Sequence, residues 1–439
     1  MKTIADFPYV EVEFTKEGKV ADQQQADELV NFLSQGTITD LFAISHGWNN
    51  DMEDARMLYK EFFERVRDEI NNDRPAGIGS RKFAVFGILW PSKKFADDEL
   101  IPSGAASFAA PSADEKALKA QLDGLKGFFD HKDADALLEK AKQLVDKIKT
   151  NPAAARDFAD LIRSLPGNRE MNAEDNSDAF FKTPATKLIE TMSRPDLPAP
   201  PPKGMGGAAG FKPGVGGALG IKDFLGGVLS GARKVLNFTT YYQMKERAGV
   251  VGGAGVAEVL KKIQQVPAAV RLHLIGHSFG GRLVTSAANA LGGTSKKPNS
   301  LTLLQAAFSH NGFAEKFDGT RDGFFRDVVK GTKIAGPIVI THSINDTAVG
   351  TAYPLASKLS GDDAAGFGDA KDRFGGIGRN GAQHTPEADN SSSLGPNNRT
   401  YSFQAGKLYN LNADSIIQGH SDICRSEVAH ALLCAIATS

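Results

Sequence analysis

Two uninterrupted apolar runs, Leu41-Phe42-Ala43-Ile44 and Phe83 to Trp90, flank an amphipathic stretch through Met57, Phe62, Phe63 and Val66. A run with no polar face has to be buried on both sides, which fits a strand of a parallel sheet covered by helices above and below. The same rhythm precedes and follows. Tyr9–Thr15 alternates like a strand and Ala26–Ser34 reads as a helix. Further on come a helix over Gly255–Gln264, a strand over Val270–Ile275, a small-residue helix over Gly280–Leu291, and strands over Ser300–Ala307, Ile338–His342 and Lys407–Leu411. A helix over Asp422–Ile436 closes the chain. This alternation predicts an α/β protein with a doubly wound, mostly parallel sheet.

The rhythm stops at Pro91-Ser92 and resumes near Asn237, dividing the chain into core segments 1–92 and 237–439 around an insertion, 93–236. The insertion opens with helical spacing over Ala113–Thr150 and Ala153–Leu165, then passes a proline-rich turn at Pro195–Pro202. Eleven glycines follow between Gly204 and Gly231, interleaved with Phe211, Val215, Leu219, Ile221 and Phe224. A flexible tract that is also apolar reads as a lid or linker, and it allows transient contact with a membrane interface. The loop 360–398 is long for a connector and carries Asp362, Asp363, Asp369 and Asp372 without EF-hand spacing.

Among the 439 residues, 51 Lys and Arg stand against 52 Asp and Glu, a net charge of -1. That balance argues against nucleic acid as the main partner. The two cysteines, Cys424 and Cys434, lie about 15 Å apart if helical, too far to bridge. No metal or cofactor motif is present, because the histidines lack spacings such as H-E-x-x-H. No signal-peptide-like start or spanning apolar segment occurs, so the default compartment is the cytoplasm, with export independent of a cleavable signal left open. Oligomeric state is not legible.

Gly276-His277-Ser278-Phe279-Gly280 joins the Arg271–Ile275 run to the small-residue helix. This is G-x-S-x-G between strand and helix, where the turn makes the serine hydroxyl protrude. A serine is a weak nucleophile and needs a base, an acid to orient the base, and donors for an oxyanion. Asp346 follows the strand ending at His342 and is the leading acid; its competing role is a helix N-cap, and Asp414 is the fallback. His420, on a glycine-containing loop after the last strand, is the base. The amides of Phe279 and Trp48 are the oxyanion donors, Gly47 turning the latter toward the cleft. His46, Gly47, His277 and His310 complete the expected substrate side, His46 chiefly bracing its loop.

On His46-Gly47-Trp48, Trp90-Pro91-Ser92, the G-x-S-x-G segment, Asp346 and Gly419-His420-Ser421-Asp422-Ile423, the chain resembles the serine esterase and lipase side of the α/β-hydrolase superfamily over roughly residues 8–92 and 237–437. The resemblance implies that Ser278 attacks an acyl carbon, His420 carries the proton, and Asp346 fixes the tautomer of His420. It further implies a carboxylic ester substrate, and the apolar insertion points to lipid or phospholipid esters. A thioesterase, amidase or peptidase with the same triad, and a non-catalytic binding module, are the competing readings.

Overall fold

A computed structural model describes residues 1–92, 115–167, 171–194, 221–291, 296–331, 333–352 and 373–439, with 221–226 and 350–352 as backbone only. The strands are β1 (Lys2–Ile4), β2 (Phe7–Glu13), β3 (Asp40–Ser45), β4 (Phe83–Leu89), β5 (Arg271–His277), β6 (Ser300–Leu304), β7 (Ile338–His342), β8 (Ala388–Asp389) and β9 (Leu408–Asn412). They form one nine-stranded sheet in the order β1-β2-β4-β3-β5-β6-β7-β9-β8. Only the β1–β2 pair is antiparallel. The chain is therefore of the α/β class. Neither β1 nor β8 is announced by the sequence: each is a two- or three-residue edge piece, too short to carry a hydrophobic period.

Successive side chains of the strands enter opposite cores. Leu41, Ala43, Ala84, Phe86, Leu272, Leu274, Leu301 and Leu303 join the core on one face. Phe42, Ile44, Phe83, Val85, Ile275, Leu304 and Leu411 join the core on the other. The second core is closed by α2 (Met52–Asn71) and the C-terminal helix over Ser426–Ala437. The first is closed by α1 (Gln23–Ser34) and by helices on either side of β5. Asp51 starts α2 with a reciprocal cap, accepting from the amides of Glu53 and Asp54 while Asp54 accepts from the Asp51 amide. That cap fixes where the loop 46–51 leaves the sheet.

The insertion adds α3 (Glu115–Gly124), α4 (Ala134–Leu144), α5 (Pro152–Ser164), α6 (Ser177–Lys182) and α7 (Ala185–Ser193). The helical stretch expected over 113–150 is thus divided, and at Gly127 the backbone turns through φ 70°. Residues 204–220 lie outside the described residues. From Ile221 the chain is one helix, α8 (Ile221–Val250), 30 residues long, which passes through the expected boundary at 236/237. It continues through a π-helical turn at Val251–Val256 into α9 (Ala257–Gln264). The end of the glycine tract is therefore helix and packs against α7: a Cβ on Gly231 would lie 2.5 Å from Ser193 Oγ. After β5 come α10 (Phe279–Ala290), α11 (Arg326–Lys330), α12 (Thr347–Ala352), α13 (Ile377–Asn380) and α14 (Ser426–Ala437). No described helix is long and apolar enough to cross a membrane.

Candidate active site

β5 occupies the middle of the nine strands. Between its last residue, His277, and the first residue of α10, Phe279, Ser278 takes φ 56° and ψ -126°. An L-residue holds such a backbone only when its neighbours fix it. Here its amide donates to Leu304 O at 3.1 Å, and its carbonyl accepts from Ala307 N at 2.9 Å and Gly281 N at 3.0 Å. Glycine is required on either side of the turn by close approach: a Cβ would lie 2.4 Å from Gly280 O at Gly276, and 2.2 Å from Ser45 O at Gly280. Ser278 stands at the N-cap position of α10, yet its side chain makes no cap hydrogen bond. The hydroxyl is directed elsewhere.

It donates to His420 Nε2 at 2.8 Å, and His420 Nδ1 donates to Asp346 Oδ2 at 2.9 Å. The three expected residues meet beyond the carboxyl ends of β5, β7 and β9, where ligands of open α/β sheets bind. Ser278 is 5% exposed and the His420 side chain 15%, whereas Asp346 is fully buried. Asp346 also fills its competing role. Its Oδ1 accepts from the amide of Val349 at 2.9 Å, so one carboxylate caps α12 and orients the imidazole. Asp414 does not reach His420: it accepts from the amide of Ile344 at 2.9 Å and from Asn412 Nδ2 at 3.0 Å.

His420 is not at a helix terminus as expected, because α14 begins only at Ser426. The intervening turn is held by Asp422, which accepts from the amide of Gln418 and from Arg425 Nε. Two side chains missed by sequence reasoning, Ser343 and Asn345, tie the acid loop to the base loop, and His277, next to the nucleophile, also reaches the base loop. Ser343 Oγ donates to Ile417 O, Asn345 Nδ2 donates to the carbonyls of Asp414 and Ile417, and His277 Nε2 donates to His420 O at 3.0 Å. Burial pushes the His277 imidazole down to about 3, with the neighbouring His420 adding to it, so it stays neutral. His277 was expected on the substrate side; it is a positioning group beneath the base, with only 5% exposure.

Gly47 lies directly against the nucleophile, where a Cβ would sit 2.5 Å from Ser278 Cβ. The next amide, that of Trp48, makes no backbone hydrogen bond among the described residues, and that of Phe279, first in α10, has no intrahelical acceptor. The Trp48 ring packs edge-on against Phe279, centroids 6.0 Å apart. His46 is fully buried and braces its loop, as expected. Its Nδ1 donates to Gly47 O at 2.9 Å, its Nε2 accepts from the Trp90 amide at 3.3 Å, and its ring stacks on Trp90. Burial holds it at about 4. His310 also departs from expectation. Six residues past β6, the chain has folded beneath the 373–384 segment, where His310 is fully buried between Gly375, Asn380 and Gln383.

The chain is an α/β protein with a hydrogen-bonded Ser-His-Asp set. Compared with known families, characterised proteins and solved structures, it matches none. Among the described residues no cluster of His, Cys, Asp and Glu is arranged to hold a metal ion. The aspartates 362, 363, 369 and 372 lie outside them.

Proposed function

We propose that this chain is a serine hydrolase of carboxylic esters built on an α/β-hydrolase fold. The observation that carries the reading is the continuous relay from Ser278 Oγ through His420 to Asp346, set on a backbone at φ 56°. The order Ser278, Asp346, His420 along the chain is that of the α/β-hydrolase arrangement, and the nucleophile follows the central strand. As Ser278 Oγ attacks the acyl carbon, His420 Nε2 takes its proton, and the imidazolium is stabilised by Asp346. The carbonyl oxygen becomes an oxyanion facing the amides of Phe279 and Trp48. Collapse expels the alcohol, protonated by His420, and leaves an acyl-serine. Water, deprotonated by His420, then attacks that ester and returns Ser278.

The lipid and phospholipid expectation rested on the tract 204–231, most of which lies outside the described residues, so the proposal stands at carboxylic esters. The test is mass spectrometry after treatment with a fluorophosphonate, paired with p-nitrophenyl esters of increasing acyl length. A single adduct on Ser278, absent from Ser278→Ala and His420→Ala, is the expected result. Folded protein that forms no adduct and turns over no ester overturns the reading.

A further inference from the structure

A cleft of about 400 Å³ is lined by α10, by α8 with its π-helical extension, and by the segment carrying Phe324 and Phe325. Cavities that hold small ligands fall in the range of about 300–1,000 Å³. Its walls are mostly apolar, from Phe181, Tyr242, Val250, Ala254, Phe324 and Phe325, and its inner face carries Arg282 and Ser286.

Both of these polar side chains are more than nine-tenths buried, at 3% and 7% exposure. Arg282 Nε donates to Lys245 O at 3.0 Å, and the guanidinium lies over the rings of Phe324 and Phe325. Its Nη1 and the Ser286 hydroxyl have no hydrogen-bond partner among the described residues. Buried polar groups in this state are rare and call for an explanation. The second observation comes from Gly249 on α8. A methyl group there would lie 3.6 Å from Arg282 Nη2, 3.7 Å from Nε and 4.0 Å from Ser286 Oγ. One spot bare of side chain is therefore within reach of both the guanidinium and the hydroxyl.

The charges nearby decide what kind of anion fits. Lys245, also in the lining, is already paired with buried Asp175, and Glu246 adds a carboxylate to the wall. Glu174, buried beside Asp175, accepts from the Phe324 amide. One guanidinium with acids around it favours a single negative charge over a phosphate dianion, and the aromatic walls favour an apolar body behind that charge.

We propose that this cleft binds a carboxylate amphiphile, its headgroup between Arg282 and Ser286 and its chain along the aromatic wall. The site is separate from Ser278, and the inference does not depend on hydrolysis. The test is calorimetric titration of the full chain with sodium dodecanoate below its micelle concentration, beside dodecanol and inorganic phosphate. Dodecanoate is expected to bind with one-to-one stoichiometry and the other two at least about tenfold more weakly, as the loss of a charge-assisted hydrogen bond or of the apolar body dictates. Ser286→Ala should weaken dodecanoate about tenfold. Gly249→Leu, which fills the cleft with a good helix former, should abolish binding while leaving the melting temperature and the fluorophosphonate reactivity of Ser278 intact. Equal affinity for dodecanol, equal affinity for phosphate, no binding of dodecanoate, or binding unchanged in folded Gly249→Leu each overturns the proposal.

Discussion

At the carboxyl ends of the strands Ser278, His420 and Asp346 form a hydrogen-bonded chain with steps of 2.8 and 2.9 Å. At the amino ends of the same sheet Ser300, His273 and Asp40 form another, with steps of 2.9 and 3.0 Å. By residue type and distance the two are alike. They differ in everything else a nucleophile needs. Ser300 is the first residue of β6, paired in register with His273, and all three members of its set are fully buried. Its imidazole is reversed, Nε2 meeting the carboxylate and Nδ1 the hydroxyl. Asp40 also accepts from Arg81 Nη1 at 3.0 Å and Thr39 Oγ1 at 2.6 Å, so it is the hub of a polar plug beneath β3, β5 and β6. Burial would raise its carboxyl, but the bonds from His273 and Thr39 and the Arg81 charge hold it below its ordinary value. A relay becomes a candidate for chemistry only where exposure, a strained turn and unspent backbone amides coincide.

The largest expected contrast is between the two serines. Ser278→Ala should lower turnover of p-nitrophenyl butyrate by about 10³-fold or more with no loss of stability. Ser300→Ala should leave turnover unchanged and cost about 1–3 kcal/mol in urea unfolding, because the buried His273 ring loses its hydroxyl partner. Retained turnover in the first, or comparable loss of turnover in folded Ser300→Ala, would break the distinction between the two ends.

The acids should follow. Asp346→Asn keeps an oxygen for the α12 cap but loses the charge that fixes His420, so under the proposed function kcat should fall by about 10⁴-fold, the loss typical of a Ser-His-Asp triad. Asp414→Asn should cost far less, since its carboxylate serves Ile344 and Asn412. Asp40→Asn should register in unfolding, toward the lower end of about 3–5 kcal/mol for breaking a buried pair, because Arg81 keeps 17% of its side-chain exposure. Gly47→Ala, whose methyl would meet Ser278 Cβ at 2.5 Å, should lower turnover by about 10²-fold through displacement of the Trp48 amide, which a kcat measurement on folded protein reads.

How far the sequence reveals this follows from which signals are local. The buried runs at Leu41 and Phe83 mark their strands because a two-sided burial leaves no polar position. The sequence Gly276 to Gly280 marks the turn because only glycine tolerates those approaches. Asp346 and His420 are legible as residues just past strands. The reach of His277 to the base loop is not, since it depends on a contact 143 residues away. Nor is α8: the glycines at 226, 227 and 231 argue against a helix in isolation, and at Gly231 the contact with Ser193 that rewards it is tertiary. His46 braces its loop as expected, through Gly47 and Trp90, whereas His310 shows the complementary error. A histidine past a strand reads as cleft-facing, yet His310 is fully buried, with its Nδ1 against Asn380 Nδ2.

The smallest effect separates two buried histidines, one at each end of the sheet. Burial lowers both His277, to about 3, and His273, against the pull of Asp40. The unfolded chain titrates near 6.5, so below that pH it binds protons the folded state refuses, and stability falls as pH drops from about 6.5 toward 4. His46, at about 4, acts in the same direction. Glu174, raised to about 7 by burial and by Asp175, opposes them, because its folded state binds the proton more tightly as pH falls. His277→Gln can still donate to the His420 carbonyl but does not titrate. It should flatten the dependence of urea midpoint on pH between 4 and 6.5 and leave turnover within about threefold, whereas His277→Leu, losing the donor as well, should lower turnover by about tenfold. His273→Gln should flatten the same curve, and even His273→Leu should leave the turnover of folded protein untouched. If His273→Leu slows hydrolysis at a pH and urea concentration where it is fully folded, the polar plug is coupled to the elbow through β5, and the two ends of the sheet do not act separately.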